Sequence, residues 1–588
     1  MKPRLILAAL ALSAALPAVD HPAWSHLDGE VVAAVRWHGG GTAAADSARQ
    51  RWCRIFATPQ IGAAAARTVS AALASSEELA APGHLVASLG FGWGDLGTLF
   101  GSELGCAFSV RPGGMPNGRT AAELAAWAVV PDELWARAMT AIEAQVAAGT
   151  ILRTDVERDG RRIHLLAAAP AAEGGEPVDA AAAVHRDADG RVWLLVSGAK
   201  VEPQGRADRL ARWIAAPGGE TGFAARAQAS RTLGGRGAAL LESAADFGQV
   251  WRRIQAEVPA EQQGMVAASS ALLGLDALGF AAFEVRCDGG WCGTALALQT
   301  SGPRRGILRV LDAPATPAQP AAWLPAEALS VSCLVFDAGQ VLEGVRQAMS
   351  SDPTLRGHLE TAENAVPVFA AGLTLQQITA ALGRTLWQVD LPETPEQLVA
   401  GDDRKGAVLE LADPTVVSRL LPLANLAAKG MQVRFVTEQG AQGLRIAAGE
   451  GTPEIGVFIS GQHLVVGIGS GVASELLAAL GRGDGRWAAT PHAAAGLRQL
   501  PARQLLLWGV EDSQAVARLT PDLMRTALDG FAAMSDDEEV EAALGDLADA
   551  MPDAEAVAAS IAGPQTTAAW DDAGVIRVLI SAEMALEP

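Results

Sequence analysis

The sequence predicts an α+β protein of two related lobes, each an antiparallel sheet packed with helices and derived from an internal duplication. Three observations carry this reading. A pattern of strand, helix, glycine and strand recurs at an offset of 281 residues. The apolar runs are short, come in pairs and are joined by glycine-containing turns, as hairpins are. Gly and Pro, at 63 and 31 of 588 residues, are frequent enough to punctuate many strands and exclude coiled-coil or collagen classes. Half of the residues are hydrophobic and 19% are charged, which is sufficient for a packed core.

The N-terminus sets the compartment. Lys2 and Arg4 precede an apolar stretch over 5–16, followed by small residues and Asp20, the pattern of a secretory signal peptide over 1–18. Cleavage after Ala15 or Ala18 fits; neither site has a nearby Cys for a lipid anchor. No later segment offers about 18 apolar residues free of charge and turn signals. The best candidate, 265–285, contains Asp276 and two glycines and reads as helix then strand. The expectation is a periplasmic or secreted protein with no membrane span once the signal is removed. Acidic residues outnumber basic ones by 66 to 45, with no basic run, so nucleic acid is excluded as a partner. The complete absence of Tyr excludes any mechanism that needs a phenol.

The elements follow in order. Segment 21–35 opens the first copy and 319–336 the second, each as a strand. Segments 127–157 and 408–438 then match, with Asp132 against Asp413, Gly149 against Gly430, Arg153 against Arg434 and Glu157 against Glu438. Both read as a strand, a helix, a glycine stop and a second strand. The next turn is two residues longer in the second copy, if 160–163 faces 443–446. Hairpins come next, 184–196 around Asp189-Gly190 and 456–466 around Gly461, then helices over 207–214 and 472–480. Strand pairs within 280–310 and 567–580 end the copies. The Pro/Ala-rich stretch 313–320 is the linker, giving lobes over 19–312 and 321–588.

The five cysteines suit an oxidising compartment. Cys287 and Cys292 flank Asp288-Gly289-Gly290-Trp291 between two strand-like runs, so a hairpin places them opposite each other and a local disulfide is expected. Cys53 and Cys106 are assigned as a second bridge, leaving Cys333 free in a buried strand. A zinc half-site at Cys287 and Cys292 is set aside, because no second Cys or His pair stands near.

Several motifs imitate chemistry. Gly467-Ile468-Gly469-Ser470-Gly471 follows a strand and opens a helix like a phosphate-binding turn, but that strand is half of a hairpin. Ser197-Gly198-Ala199-Lys200 has the Ser-x-x-Lys spacing of penicillin-recognising enzymes, without their Lys-Thr-Gly. His21, His26 and His38 with Asp28 fit no metal-ligand spacing. Asp187-Ala188-Asp189-Gly190 resembles part of a calcium loop and reads as a turn. Ser535 with Glu538 reads as a capping box, and Arg482-Gly483-Asp484 as an exposed loop. Trp37, Trp93, Trp193, Trp213 and Trp508 read as core. No catalytic, cofactor-binding or metal-ligating residue is assigned.

The runs Leu275-Asp276-Ala277-Leu278-Gly279, Gly302-Pro303-Arg304-Arg305-Gly306-Ile307-Leu308 and Leu324-Pro325 resemble those of a domain-of-unknown-function family of uncharacterised exported proteins, planctomycete-type bacteria being the common source. The resemblance implies the architecture of most of the mature chain and transfers no activity or catalytic residue. The function expected is a binding or scaffolding protein of the cell envelope or exterior, leaning away from an enzyme. Its partner is an unidentified envelope or extracellular protein or ligand. The alternatives are a secreted hydrolase with dispersed carboxylates in an interlobe cleft, and a carrier of an apolar ligand.

Overall fold

The computed structural model describes residues 31–38, 58–61, 63–64, 67–68, 102–111, 121–168, 181–197, 203–215, 223 and 237–585, apart from 289, 351–352, 371, 394–396, 398–403, 424–430, 448–452, 484, 534 and 536. The signal peptide, Cys53, His21, His26, Asp28, Trp93 and Lys200 lie outside them.

The described residues of the first half form the strands β1 Val31–Trp37, β2 Leu104–Arg111, β3 Ala121–Val129, β4 Ile151–Arg158, β5 Arg161–Ala168, β6 Ala181–Arg186, β7 Arg191–Ser197, β8 Ala238–Asp246, β9 Leu278–Asp288 and β10 Trp291–Thr300. Its helices are α1 Asp132–Ala147, α2 Pro203–Ala215, α3 Phe247–Glu257 and α4 Ala260–Leu273. The second half carries β11 Ser330–Val335, β12 Leu382–Asp390, β13 Lys405–Leu411, β14 Gln432–Glu438, β15 Ala441–Ala447, β16 Ile455–Ser460, β17 His463–Ile468, β18 Leu507–Glu511, β19 Ile561–Asp572 and β20 Val575–Met584. Its helices are α5 Ala338–Ser350, α6 Pro353–Phe369, α7 Leu375–Ala381, α8 Pro414–Ser418, α9 Val472–Arg482, α10 Pro491–Gln499, α11 Ser513–Ala533, α12 Glu538–Asp549 and α13 Ala554–Ala558.

Among the described residues every strand pairing is antiparallel, and the order is β4-β5-β6-β7-β3-β2-β1-β8-β9-β10-β20-β19-β18-β11-β12-β13-β17-β16-β15-β14. Read from either edge the order is the same once ten is added to each number. The two sheets expected from the sequence are therefore one, because the last strand of each half pairs with the other. The seam runs from Trp291 opposite Glu583 to Gln299 opposite Val575. Alternation specifies which face is inside: in β7, Arg191, Trp193, Leu195 and Ser197 are all buried and the residues between them are not.

The hairpins β4–β5 and β14–β15 close with turns of equal length, Asp159-Gly160 and Gln439-Gly440, so the expected longer second turn is not formed. All four turn residues have positive φ, between 49 and 80°, as a type I′ turn requires. The segment read as a linker is tied down, since Thr316 and Leu505 exchange backbone hydrogen bonds of 3.0 and 2.7 Å. The acidic segment before α12 is capped by Asp537 rather than Ser535. The Asp537 carboxylate accepts the Glu539 and Val540 amides, and Ser535 Oγ accepts the Asp537 amide. A carboxylate one residue before the helix reaches those amides directly, which the more distant serine cannot.

The cores of the two halves differ. In the first, Ala207, Leu210 and Ala211 of α2 seal against Ile163, Leu195 and Ala125 of the sheet. In the second, α9 and α10 close over a tryptophan cluster. Trp323 meets Trp387 edge-on with centroids 6.1 Å apart, Trp387 meets Trp508 at 5.7 Å and Trp487 meets Trp508 at 6.4 Å. Trp37, Trp193, Trp213 and Trp508 are all buried, as their apolar contexts indicate.

Candidate functional site

The most unusual feature of the first half is charge inside the sheet. Arg36 and His38 at the end of β1, Glu103 before β2, Arg191 on β7, Glu242 on β8, and Glu284 and Arg286 on β9 are all buried. They neutralise each other. His38 Nε2 lies 2.7 Å from Glu242 Oε2, Arg286 Nε donates to Glu284 at 2.8 Å, and Arg286 also reaches Glu242 at 3.4 Å. Arg36 pairs with Glu103 at 3.4 Å and Arg191 with the same carboxylate at 3.6 Å, while the Trp127 indole N–H donates to it at 3.2 Å. Gly105 makes room for that indole, because a Cβ there would sit 2.2 Å from Trp127 Cζ2. Such a set holds strands together in register; a lone member would cost several kcal/mol to bury.

At several of these places the second half has uncharged residues. Asp246 and Asp512 serve as a common reference, since each carboxylate accepts a backbone N–H three residues on, from Gln249 and Ala515. Counting from them, Glu242 stands where Trp508 stands, and the cross-strand partners Arg36 and Glu284 stand where Cys333 and Ala568 do. Burial pushes the Cys333 thiol up to about 12, with the Glu410 charge adding to it. This thiol stays protonated and chemically quiet.

A pocket of about 480 Å³ opens in the second half between α5, α7 and the start of β12. Its walls follow from helical periodicity. Gly339, Leu342, Glu343 and Arg346 lie at i, i+3, i+4 and i+7 on one face of α5, and Gln376, Thr379 and Ala380 on one face of α7. A capping box fixes the start of α7, with Thr374 accepting the Gln377 amide and the Gln377 side chain accepting the Thr374 amide. Asp337 caps α5 by accepting the Gln340 amide at 3.1 Å through Oδ1, and its Oδ2 faces the Arg384 guanidinium at 3.5 Å. Arg346 is held by Glu363 at 2.6 Å. The site thus displays one close ion pair, Arg346 with Glu363, one long one, Arg384 with Asp337, a further carboxylate, an amide and a hydroxyl. It lies within one half and away from the seam, where the interlobe cleft of the hydrolase alternative was expected and a strand ladder stands instead.

Cys287 and Cys292 face each other across the β9–β10 hairpin with Cα atoms 4.3 Å apart and form the expected disulfide. Cys106 lies exposed on β2 and bonds to no described cysteine; its assigned partner Cys53 is outside the described residues. Ser197 of the Ser-x-x-Lys motif is buried and accepts a hydrogen bond from Arg206 at 2.7 Å. The glycine-rich turn before α9 has its first amide engaged, Gly469 donating to the Glu454 carbonyl at 2.9 Å, and Glu475 places an acid in the first helical turn. Both features disfavour an anion there. Asp187 and Asp189 belong to a hairpin turn, with Asp187 held by His185 at 3.0 Å and by the Trp193 indole at 2.6 Å. Sequence reasoning missed the α5–α7 pocket. The i, i+3, i+4, i+7 stripe of α5 was the signal available.

Among the described residues no helix is long and apolar enough to cross a membrane, and no group of three or more His, Cys, Asp or Glu could hold a metal ion. No family model matches the chain, and no curated protein matches it. Among solved structures, crystal form III of TP0453 is similar over 51% of this chain and 90% of its own, at 10% identity and a TM-score of 0.23. Crystal form I of TP0453 gives 50% and 88% at the same identity and score. Likeness at this level carries no argument about fold or function.

Proposed function

We propose that this chain is an exported, non-enzymatic binding protein of the envelope or exterior, whose α5–α7 pocket takes a small polar ligand bearing a carboxylate. The observation that carries the reading is the commitment of Asp337. One oxygen caps α5 and the other faces Arg384, so the carboxylate is oriented by contacts within the chain. Arg384 is the group open to a ligand: its side chain is 63% exposed and its contact with Asp337 is long for a hydrogen bond. A ligand carboxylate replacing that loose contact gains a charge-assisted pair, while the Gln376 amide lines the same pocket and Thr379, which donates to the Leu375 carbonyl, can only accept. The hydrolase alternative would need Asp337 and Glu343 to act as an acid–base couple, and the anchoring of Asp337 weighs against it. Export rests on the signal-like segment and on the disulfide. The resemblance to uncharacterised exported planctomycete-type proteins belongs to the same reading.

The internal duplication is part of the proposal. The palindromic strand order supports it, and so does one reversed ion pair. Glu123 on β3 meets Arg209 on α2 at 2.5 Å, and in the second half Arg404 before β13 meets Glu475 on α9. The four residues occupy matching places with the charges exchanged, as two copies drifting by compensated substitution would leave them.

Calorimetric titration of the mature chain with amino acids, dicarboxylates and short peptides tests the pocket. We expect one class to bind and Arg384→Ala to weaken it at least tenfold, about 1.4 kcal/mol. A panel silent on the unaltered protein, or binding indifferent to Arg384→Ala, defeats the assignment.

A further inference from the structure

We propose that two copies of this chain associate through their β14 edges, continuing one sheet across a twofold axis. Among the described residues β4 and β14 pair on one side only, so each leaves a row of backbone groups open. The two edges are not equivalent. β4 puts Arg153, Asp155, Glu157 and Arg158 into eight residues, and Asp155 is already held by Arg153 at 2.9 Å and His164 at 2.8 Å. β14 carries Arg434 and Glu438 in seven residues and leaves Phe435 51% exposed. Charged edges resist pairing, and a long edge with an exposed aromatic invites it.

The register follows from the hairpin. A two-residue turn closes on a hydrogen-bonded pair, here Glu438 with Ala441, and the bonding direction then alternates. Glu438, Val436 and Arg434 therefore bond inward to β15, and Thr437, Phe435 and Val433 turn their N–H and C=O groups outward. An antiparallel second copy centred on Val436 sets Phe435 opposite Thr437 twice, outward against outward, so the ladder forms. The same register sets Arg434 opposite Glu438 twice and Val436 opposite itself; Glu438 already accepts from Arg445 at 2.6 and 2.7 Å and from Ser474 at 2.8 Å, so Arg434 adds a second cation to a carboxylate held in place. Cross-strand pairs of this kind contribute roughly 0.2–1 kcal/mol each beyond the ladder. Arg434 is available for it, its contact within the chain being Gln432 at 3.5 Å.

Bonding parity also argues against an open polymer. The head-to-tail register that matches Arg153 with Glu438 and Glu157 with Arg434 opposes outward-bonding residues to inward-bonding ones, because β4 closes on Arg158 with Arg161. That register makes no ladder. Self-pairing of β4 centred on Asp155 opposes two carboxylates. Centred on Thr154, it needs both Arg153 and Asp155 to give up ion pairs they hold within the chain, whereas on β14 only Glu438 is so engaged and Arg434 is not. The β14 pairing is isologous and closes at two copies.

Sedimentation velocity over a hundredfold dilution series tests this. The unaltered protein is expected as a dimer that dissociates on dilution. Thr437→Pro removes an outward N–H while sparing the bonds to β15, and Arg434→Glu opposes two acids; each is expected to be monomeric at every concentration. Glu157→Pro on the β4 edge is expected to stay dimeric. Circular dichroism checks folding, and Arg434→Glu, an exposed substitution, decides alone if Thr437→Pro does not fold. A monomeric unaltered protein overturns the proposal. So does a dimer that survives Arg434→Glu, or one lost only in Glu157→Pro.

Discussion

His185 shows what a single buried side chain can set in this protein. Its Nδ1 lies 2.8 Å from the Arg162 carbonyl and its Nε2 3.0 Å from the Asp187 carboxylate. Both neighbours only accept, so both contacts are made together only when both ring nitrogens carry protons, which favours the cation. Burial alone would lower its pKa, but the bond to Asp187 and the carbonyl outweigh burial and raise it. Asp187 moves the other way: burial would raise it, and its bonds from His185 and Trp193 hold it below the usual carboxylate range. A raised histidine contributes stability that is complete below about 6.5, its unfolded value, and is lost as the pH climbs through the folded value. The thermal midpoint should therefore fall as the pH rises from that point, and His185→Gln should flatten the fall. Melting curves recorded across this range check it; an unaltered slope in the variant would place the dependence elsewhere.

At the scale of elements, the β9–β10 hairpin is the one with a covalent pin. Cys287 and Cys292 are direct cross-strand partners on the strand pair that leads to the seam. By the chain-entropy relation, closing so short a loop contributes about 2 kcal/mol. Cys292→Ser should cost about that much in a denaturant titration, and reductant should cost the unaltered protein a similar amount. An unchanged midpoint in both would mean that pairing with β8 and β20 already holds the hairpin. Elements like this one were legible, since Asp288-Gly289-Gly290 is a turn signal between two alternating runs. The hairpins around Asp189-Gly190 and Gly461 were legible for the same reason. The buried charges were not. Arg36, His38, Glu242, Glu284 and Arg286 alternate along their strands as solvent-facing residues do, and only partners some 200 residues away, as His38 and Glu242 are, turn that face inward. The pocket stayed hidden because its two helices are separated by α6, and a stripe on one of them cannot reveal what stands opposite. The joining of the two sheets was equally invisible, for edge strands and central strands alternate alike.

For the whole molecule the seam decides cooperativity. β10 and β20 share nine residue pairs, from Trp291 opposite Glu583 to Gln299 opposite Val575, and Arg304 ties the halves further. Its guanidinium donates to Asp312 at 2.7 Å and to Asp571 at 2.5 Å. Lobes linked only through 313–320 would melt separately, whereas halves that share a ladder should unfold together. Calorimetry should give one transition whose calorimetric and van't Hoff enthalpies agree. Two resolved transitions would show the ladder to be too weak to couple them.

The position of β20 also governs the order of assembly. This strand follows both β10 and β19 in the chain, yet lies between them in the middle of the sheet. Until it arrives, the first half ends in a bare edge ten residues long at β10. A growing chain is thus kept from completing its fold, and a ribosome that stalls before Val575 releases a product with an adhesive flank rather than a functional half.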